Sequence, residues 1–188
     1  TENAMMAAAL AKGETELVNA AREPEIVDLA DCLNAMGAKI TGHGTDTIHI
    51  TGVGSLGATT HRVVPDRIEA GTFAIAAGIT GGSLHLTGVV PRHLDALMDV
   101  MRASGAHIES GDDTITVTAP DRMVATDIST DPHPGFPTDL QAQFMALMSL
   151  ADGTSIIRET IFENRFMHAP ELSRLGASIE VGGREAVV

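Results

Sequence analysis

The stretch "NAMGAKITGHGTDTIHITG", residues 34–52, runs the end of an apolar helical pattern into Gly37-Ala38 and then into two alternating runs, Ala38 to Thr41 and Thr47 to Thr51. Its first seven residues return twice, as "RASGAHI" (102–108) and "SRLGASI" (173–179). Gly37, Gly105 and Gly176 thus recur at 105 − 37 = 68 and 176 − 105 = 71 residues. A second set, "AKGETEL", "TGGSLHL" and "ADGTSII", places Gly13, Gly82 and Gly153 at 82 − 13 = 69 and 153 − 82 = 71. Two independent markers with one period identify an internal repeat.

Each unit reads alike. An Ala/Met/Leu-rich helix (Ala4 to Ala11, Phe73 to Ala77, Phe144 to Leu150) leads to a glycine of the second set, taken as its C-terminal stop. A short alternating strand follows, such as Ser83 to Thr87. A second helix carries Ile26, Leu29, Leu33 and Met36 in the first unit, and Leu94, Leu97, Met98 and Met101 in the second. The Gly-Ala stop and a hairpin close the unit. The fold class predicted is α/β, of α+β repeats ordered helix, strand, helix, strand, strand. Such a unit cannot bury both faces alone, so helices should meet in the middle with sheets outside. "GVGSLGATTHRVVPDRIEAG" (52–71) breaks the rhythm, and its glycines and Pro65 make it the predicted crossing between domains.

Composition narrows function. Of 188 residues, 12 are Lys or Arg and 25 Asp or Glu, a formal charge of −13, which argues against nucleic acid as a partner. Without Trp or Tyr, aromatic stacking on bases or sugars has little to work with. One cysteine, Cys32, excludes an internal disulfide and fits a reducing compartment. No long apolar span or signal peptide is evident, so the expectation is a cytoplasmic protein without a membrane partner. Thr1 opens directly into a helical pattern, as in an interior segment of a longer chain.

Several motifs have plain structural readings. Gly52-Val53-Gly54-Ser55-Leu56-Gly57 matches a dinucleotide fingerprint in letters, but the following Ala58 to Val64 reads as a strand, not the helix that would meet phosphates. The eight histidines are scattered singly and join no cysteine cluster, so neither a metal nor another cofactor is expected. Cys32 falls on a helical pattern beside Leu33 and reads as a small core residue. Arg22, Glu23 and Glu25 surround Pro24 at a helix start, where acids and proline belong.

Two segments stay open between scaffold and chemistry. In "HPGFPTDLQAQF" (133–144), Asp139 is either a first-turn carboxylate, with Thr138 or Asp139 as cap, or a general base held by the rigid Pro137 entry. "IFENRFMHAPEL" (161–172) concentrates Glu163, Asn164, Arg165 and His168 in one connection, a solvated loop or a site.

"NAAREPEIVDLADCLNAMGAKITGHGTDTIHITGV", "VVPDRIEAGTFAIAAGI", "HPGFPTDLQAQFMAL" and "ETIFENRFMHAPELSRLGASI" together resemble the enolpyruvyl transferases that act on UDP-N-acetylglucosamine, in order and over essentially the whole chain. "TDLQAQ" and "ENRFMH" resemble that type and not the related shikimate-pathway transferase, which shares the repeat plan. The resemblance implies an inside-out α/β barrel of two domains with three units each. Here 1–64 would be the last unit of one domain and 65–188 the first two of the second. It implies UDP-N-acetylglucosamine and phosphoenolpyruvate as substrates and phosphate as a product, in the first committed step of peptidoglycan synthesis. It places a proton-accepting carboxylate at Asp139 and a backbone contact to the nucleotide-sugar at Ile161, with Arg67, Glu163 and Arg165 as further substrate-binding residues.

The pattern is incomplete in this chain. The family's phosphate-binding lysine and arginines and its loop cysteine have no match here: the only lysines are Lys12 and Lys39, and Cys32 lies in a helical pattern. The missing N- and C-terminal segments of the same enzyme are the partners this implies, and the chain alone is expected to be inactive. Three readings compete: a segment of the nucleotide-sugar enzyme, the shikimate-type transferase, and a non-catalytic repeat scaffold.

Overall fold

An apolar helix that ends in a glycine and returns as a hairpin needs a sheet to lie on, and each unit builds its own. The computed structural model describes residues 1–188. The chain divides into Thr1–Val64 and Pro65–Val188, each with its own apolar core. The architecture is α/β.

Thr1–Val64 runs α1 (Glu2–Ala9), β1 (Glu14–Val18), α2 (Pro24–Ala35), β2 (Lys39–Thr41) and β3 (Thr47–Thr51). β3 lies between β1 and β2 and pairs antiparallel with both. Ile48 and Ile50 point from β3 into the core while His49 between them stays exposed, the alternation a sheet with one wet face requires. Met5, Ala8 and Ala9 of α1 and Ile26, Ala30 and Leu33 of α2 complete that core, and Cys32 is only half-buried beside them.

Pro65–Val188 repeats the order. α3 (Arg67–Thr80), β4 (Ser83–Thr87), α4 (Asp95–Ala103), β5 (His107–Ser110) and β6 (Thr114–Thr118) form a sheet ordered β4-β6-β5. After β7 (Ile128–Ser129) come α5 (Gln141–Met148), β8 (Ile156–Arg158), α6 (Ala169–Arg174), β9 (Glu180–Gly182) and β10 (Glu185–Val187). These strands make the sheet β7-β8-β10-β9, in which β7 joins parallel to β8. α5 buries Phe144, Met145, Leu147 and Met148, so it is apolar on nearly every side and lies inside the unit. α3 packs on it and on the turn that precedes it through small residues: a Cβ on Gly71 would come 2.6 Å from Leu140 Cδ1 of that turn, and one on Gly78 would come 3.1 Å from Leu147 Cδ1 of α5.

The two glycine sets do different work. Gly37, Gly105 and Gly176 take φ of 102°, 102° and 107°, the left-handed conformation that closes a helix and costs a side chain strain. In the second set only the second unit ends a helix at its glycines, and it does so at Gly81 (φ 63°), one residue before Gly82. Gly13 and Gly153 are left-handed, but they turn the chain several residues after α1 and α5 have ended.

The strand read into Ala58 to Val64 does not form. Side-chain contacts replace a ladder: His61 Nε2 lies 2.9 Å from Asp28 Oδ1, and the Val64 N–H donates to the same oxygen at 3.1 Å. The glycine run before it is tied to the ends of both helices, with Val53 N–H on the Ala9 carbonyl and Gly57 N–H on that of Met36. No helix opens after these glycines until Arg67, so the fingerprint lacks its phosphate-facing N-terminus. Gly52 is required for a different reason, since a Cβ there would fall 1.6 Å from the Ala11 carbonyl oxygen. Gly52→Ala should therefore destabilise Thr1–Val64 by about 2–3 kcal/mol in denaturant unfolding. Gly54→Ala, with nothing within 4 Å of its added carbon, should stay within about 0.5 kcal/mol of the parent.

Candidate functional site

The parallel pair β7 and β8 ends with Thr130 and Glu159 side by side, because Ile128 pairs with Ile157 and Ser129 with Arg158. Each strand then leads into one of the two segments left open by the sequence. From Thr130 the chain turns through Pro132, Pro134 and Pro137, with the Asp131 N–H on the Phe136 carbonyl, and enters a 3-10 turn, Thr138–Leu140. From Glu159 it passes through Ile161 to Arg165 without regular structure.

Glu159 joins these segments. Its side chain is buried, and its two oxygens accept four hydrogen bonds. Oε1 takes the Thr130 hydroxyl at 2.9 Å, the Ile161 N–H at 2.9 Å and the Phe162 N–H at 3.1 Å. Oε2 takes the Thr138 hydroxyl at 2.8 Å. Burial works to raise the Glu159 pKa, but the donors, led by the Phe162 N–H and the Thr138 hydroxyl, outweigh it and hold the carboxyl below the usual glutamate value. Thr130 also serves the loop directly, since its hydroxyl accepts from the Thr160 N–H at 2.9 Å and its carbonyl accepts from the Thr160 hydroxyl.

Asp139 sits in the 3-10 turn, and neither it nor Thr138 caps a helix. The reason is competition: the Thr138 hydroxyl is spent on Glu159, and Asp139 Oδ1 takes Arg165 Nη2 at 2.5 Å. Arg165 is itself steadied by the Phe162 ring, its guanidinium carbon 5.0 Å from the centroid. The result is a solvent-facing carboxylate with one oxygen fixed by a half-buried arginine, an arrangement able to orient a ligand hydroxyl.

The five residues singled out from the sequence separate. Asp139 and Arg165 meet, and Ile161 belongs to the same Glu159-held frame. Glu163 turns away, 3.5 Å from Arg184 Nη2 in an exposed pair. Arg67 opens α3, whose first turn Asp66 caps by accepting from the Ile68 and Glu69 N–H groups. One turn further, Gly71 lies against Leu140, next to Asp139. His168 has its pKa lowered by burial and then by the nearby Arg165, and its Nε2 makes no hydrogen bond.

Sequence reasoning missed Glu159 and Thr130, and offered Thr138 only as a helix cap. Their contacts span 29 and 21 residues and follow no helical or strand period. The one available signal was a carboxylate two residues after the apolar pair Ile156-Ile157 in "SIIRET". No group of three or more His, Cys, Asp or Glu side chains is arranged to hold a metal ion, and no helix is long and apolar enough to cross a membrane.

Residues 1–187 match the family described as EPSP synthase (3-phosphoshikimate 1-carboxyvinyltransferase). Among curated relatives, a UDP-N-acetylglucosamine 1-carboxyvinyltransferase of Bdellovibrio bacteriovorus is 62% identical over 188 residues. Proteins of the same name from Hyphomonas neptunium and Gluconacetobacter diazotrophicus are 61% and 56% identical. All of this chain is covered in each comparison, but only 45% of each relative. Among solved structures, the enolpyruvyl transferase NikO from Streptomyces tendae superposes with a TM-score of 0.86 at 27% identity, over 98% of this chain and 44% of that one.

The Glu159 site carries a pH signature. Because its folded pKa is lowered, it contributes stability that is present above the ordinary glutamate range and lost as pH falls through the lowered value. Wild-type unfolding free energy should therefore fall more steeply than that of Glu159→Gln as pH drops below about 4.3, so that the two curves converge in acid. Parallel curves would mean that the carboxylate is not held.

Proposed function

The chain belongs to the EPSP synthase (3-phosphoshikimate 1-carboxyvinyltransferase) family, and from that premise we propose that it is part of an enzyme transferring the enolpyruvyl group of phosphoenolpyruvate to the 3′-hydroxyl of UDP-N-acetylglucosamine. The observation that carries this choice of acceptor is identity of 56–62% along the whole chain with transferases named for that nucleotide-sugar. A shikimate-type acceptor is the second reading, favoured only by the family's description. The step belongs to peptidoglycan synthesis, in the cytoplasm. Residues 1–64 are then the last unit of one domain, and 65–188 the first two units of the other, in an inside-out barrel of six.

In net terms the hydroxyl oxygen bonds to C2 of phosphoenolpyruvate, the bond from C2 to the phosphate oxygen breaks, and phosphate leaves. Asp139 accepts the hydroxyl proton. Arg165 orients it by engaging Oδ1. The Ile161 N–H is already given to Glu159, so its carbonyl is the backbone group offered to the nucleotide-sugar. Arg67 and Glu163 bind substrate at the margin. The chain spans less than half the length of its curated relatives, and its charge of −13 suits a segment whose phosphate-binding cations come from elsewhere in the enzyme.

The test is phosphate release from phosphoenolpyruvate by the full-length protein that contains these residues. UDP-N-acetylglucosamine should support turnover and 3-phosphoshikimate should not; the reverse would transfer the assignment to the shikimate type. Asp139→Asn should lower kcat by about 100-fold or more while the Kd for the nucleotide-sugar, from calorimetric titration, stays within about threefold. Undiminished turnover in that variant would remove Asp139 from the chemistry.

A further inference from the structure

We propose that Glu159 is a positioning residue for the transfer, its two carboxylate oxygens separately setting the Asp139 turn and the Ile161 backbone; this rests on the transferase reading above. The division is visible in the geometry. Oε2 has one partner, the hydroxyl of Thr138, the residue next to Asp139. Oε1 has three, all at the start of the loop or the strand end beneath it: the Thr130 hydroxyl and the N–H groups of Ile161 and Phe162. Glu159 is only 1% exposed, so it touches neither substrate. It acts through the groups it holds.

The arrangement is more specific than packing requires. A buried carboxylate is costly unless its lone pairs are met, and an apolar residue at position 159 would avoid that cost. A carboxylate presents two acceptor atoms on one rigid plane. It therefore fixes the distance between two segments that make no sheet ladder with each other. Asp139 and Arg165, one from each segment, meet across that frame. A shift of the 3-10 turn against the loop would separate the proton acceptor from its arginine, and misplacement on that scale is what positioned chemistry tolerates least.

Two hydroxyl deletions take the halves apart, measured as steady-state kinetics of the full-length enzyme. Thr138→Val removes the Oε2 donor and should lower kcat about tenfold, with KM for the nucleotide-sugar within about twofold. Thr138→Ser should restore kcat, because the hydroxyl returns. Thr130→Val removes an Oε1 donor and the acceptor of the Thr160 N–H, and should raise that KM about tenfold with kcat within about twofold. Glu159→Ala should show both defects; if it fails to fold, the threonine variants carry the test. Threonine variants whose kcat and KM change together, in step with a lowered Tm, would reduce Glu159 to a stability element and overturn the proposal. Unchanged kinetics in all of them would do the same. A wild type that releases phosphate with neither acceptor would fail the transferase reading first and this role with it, a result distinct from failure in the variants alone.

Discussion

An ionised carboxylate shut away from water must be answered by donors, and Glu159 is answered by four. Charge-assisted hydrogen bonds of this kind are stronger than neutral ones, and together they outweigh the desolvation that would otherwise neutralise the group. The consequence is geometric. Two segments separated by about twenty residues of helix and strand are tied at one point. The groups beside that point, Asp139, Arg165 and the Ile161 backbone, inherit a fixed spacing that neither irregular segment could hold alone.

The scaffold beneath explains why the tie is there. Within Pro65–Val188 the sheet of β8, β9 and β10 repeats the order of β4, β5 and β6, last strand in the middle, but gains β7 parallel to its edge strand. That added pairing brings Thr130 level with Glu159. The sheet of β4 to β6 has no such strand, and no comparable buried carboxylate lies at its edge. The site thus arises where one unit departs from the repeat, while the repeat supplies the rigid core of α3, α5 and their sheets.

The repeat itself was legible from the sequence because its markers are local. Left-handed glycines after helices and alternating hairpins show in any window of ten residues, and Ile48, Ile50, Leu97, Met98 and Met101 are buried where the periodicity placed them. Elsewhere tertiary contacts override local preference. Ala58 to Val64 has strand composition but is held by Asp28 of α2 instead of a neighbouring strand. Asp139 has the position of a helix-start acid but is drawn to Arg165, 26 residues away. β7 is two residues long and pairs parallel with a distant strand, so no pattern announced it, nor Glu159, whose meaning depends on it.

A family resemblance and a local geometry converge on one residue, Asp139. The carboxylate expected to accept a proton is the one the structure fixes with an arginine, and the loop expected to meet the nucleotide-sugar is the one Glu159 holds. The most direct measurement is amide hydrogen exchange at Ile161 and Phe162 in the wild-type protein near neutral pH. Both amides should show protection approaching that of the β8–β10 ladder, although they lie in a loop without regular structure. Exchange at the rate of a free loop would show that Glu159 does not hold them, and the frame for Asp139 and Arg165 would be lost.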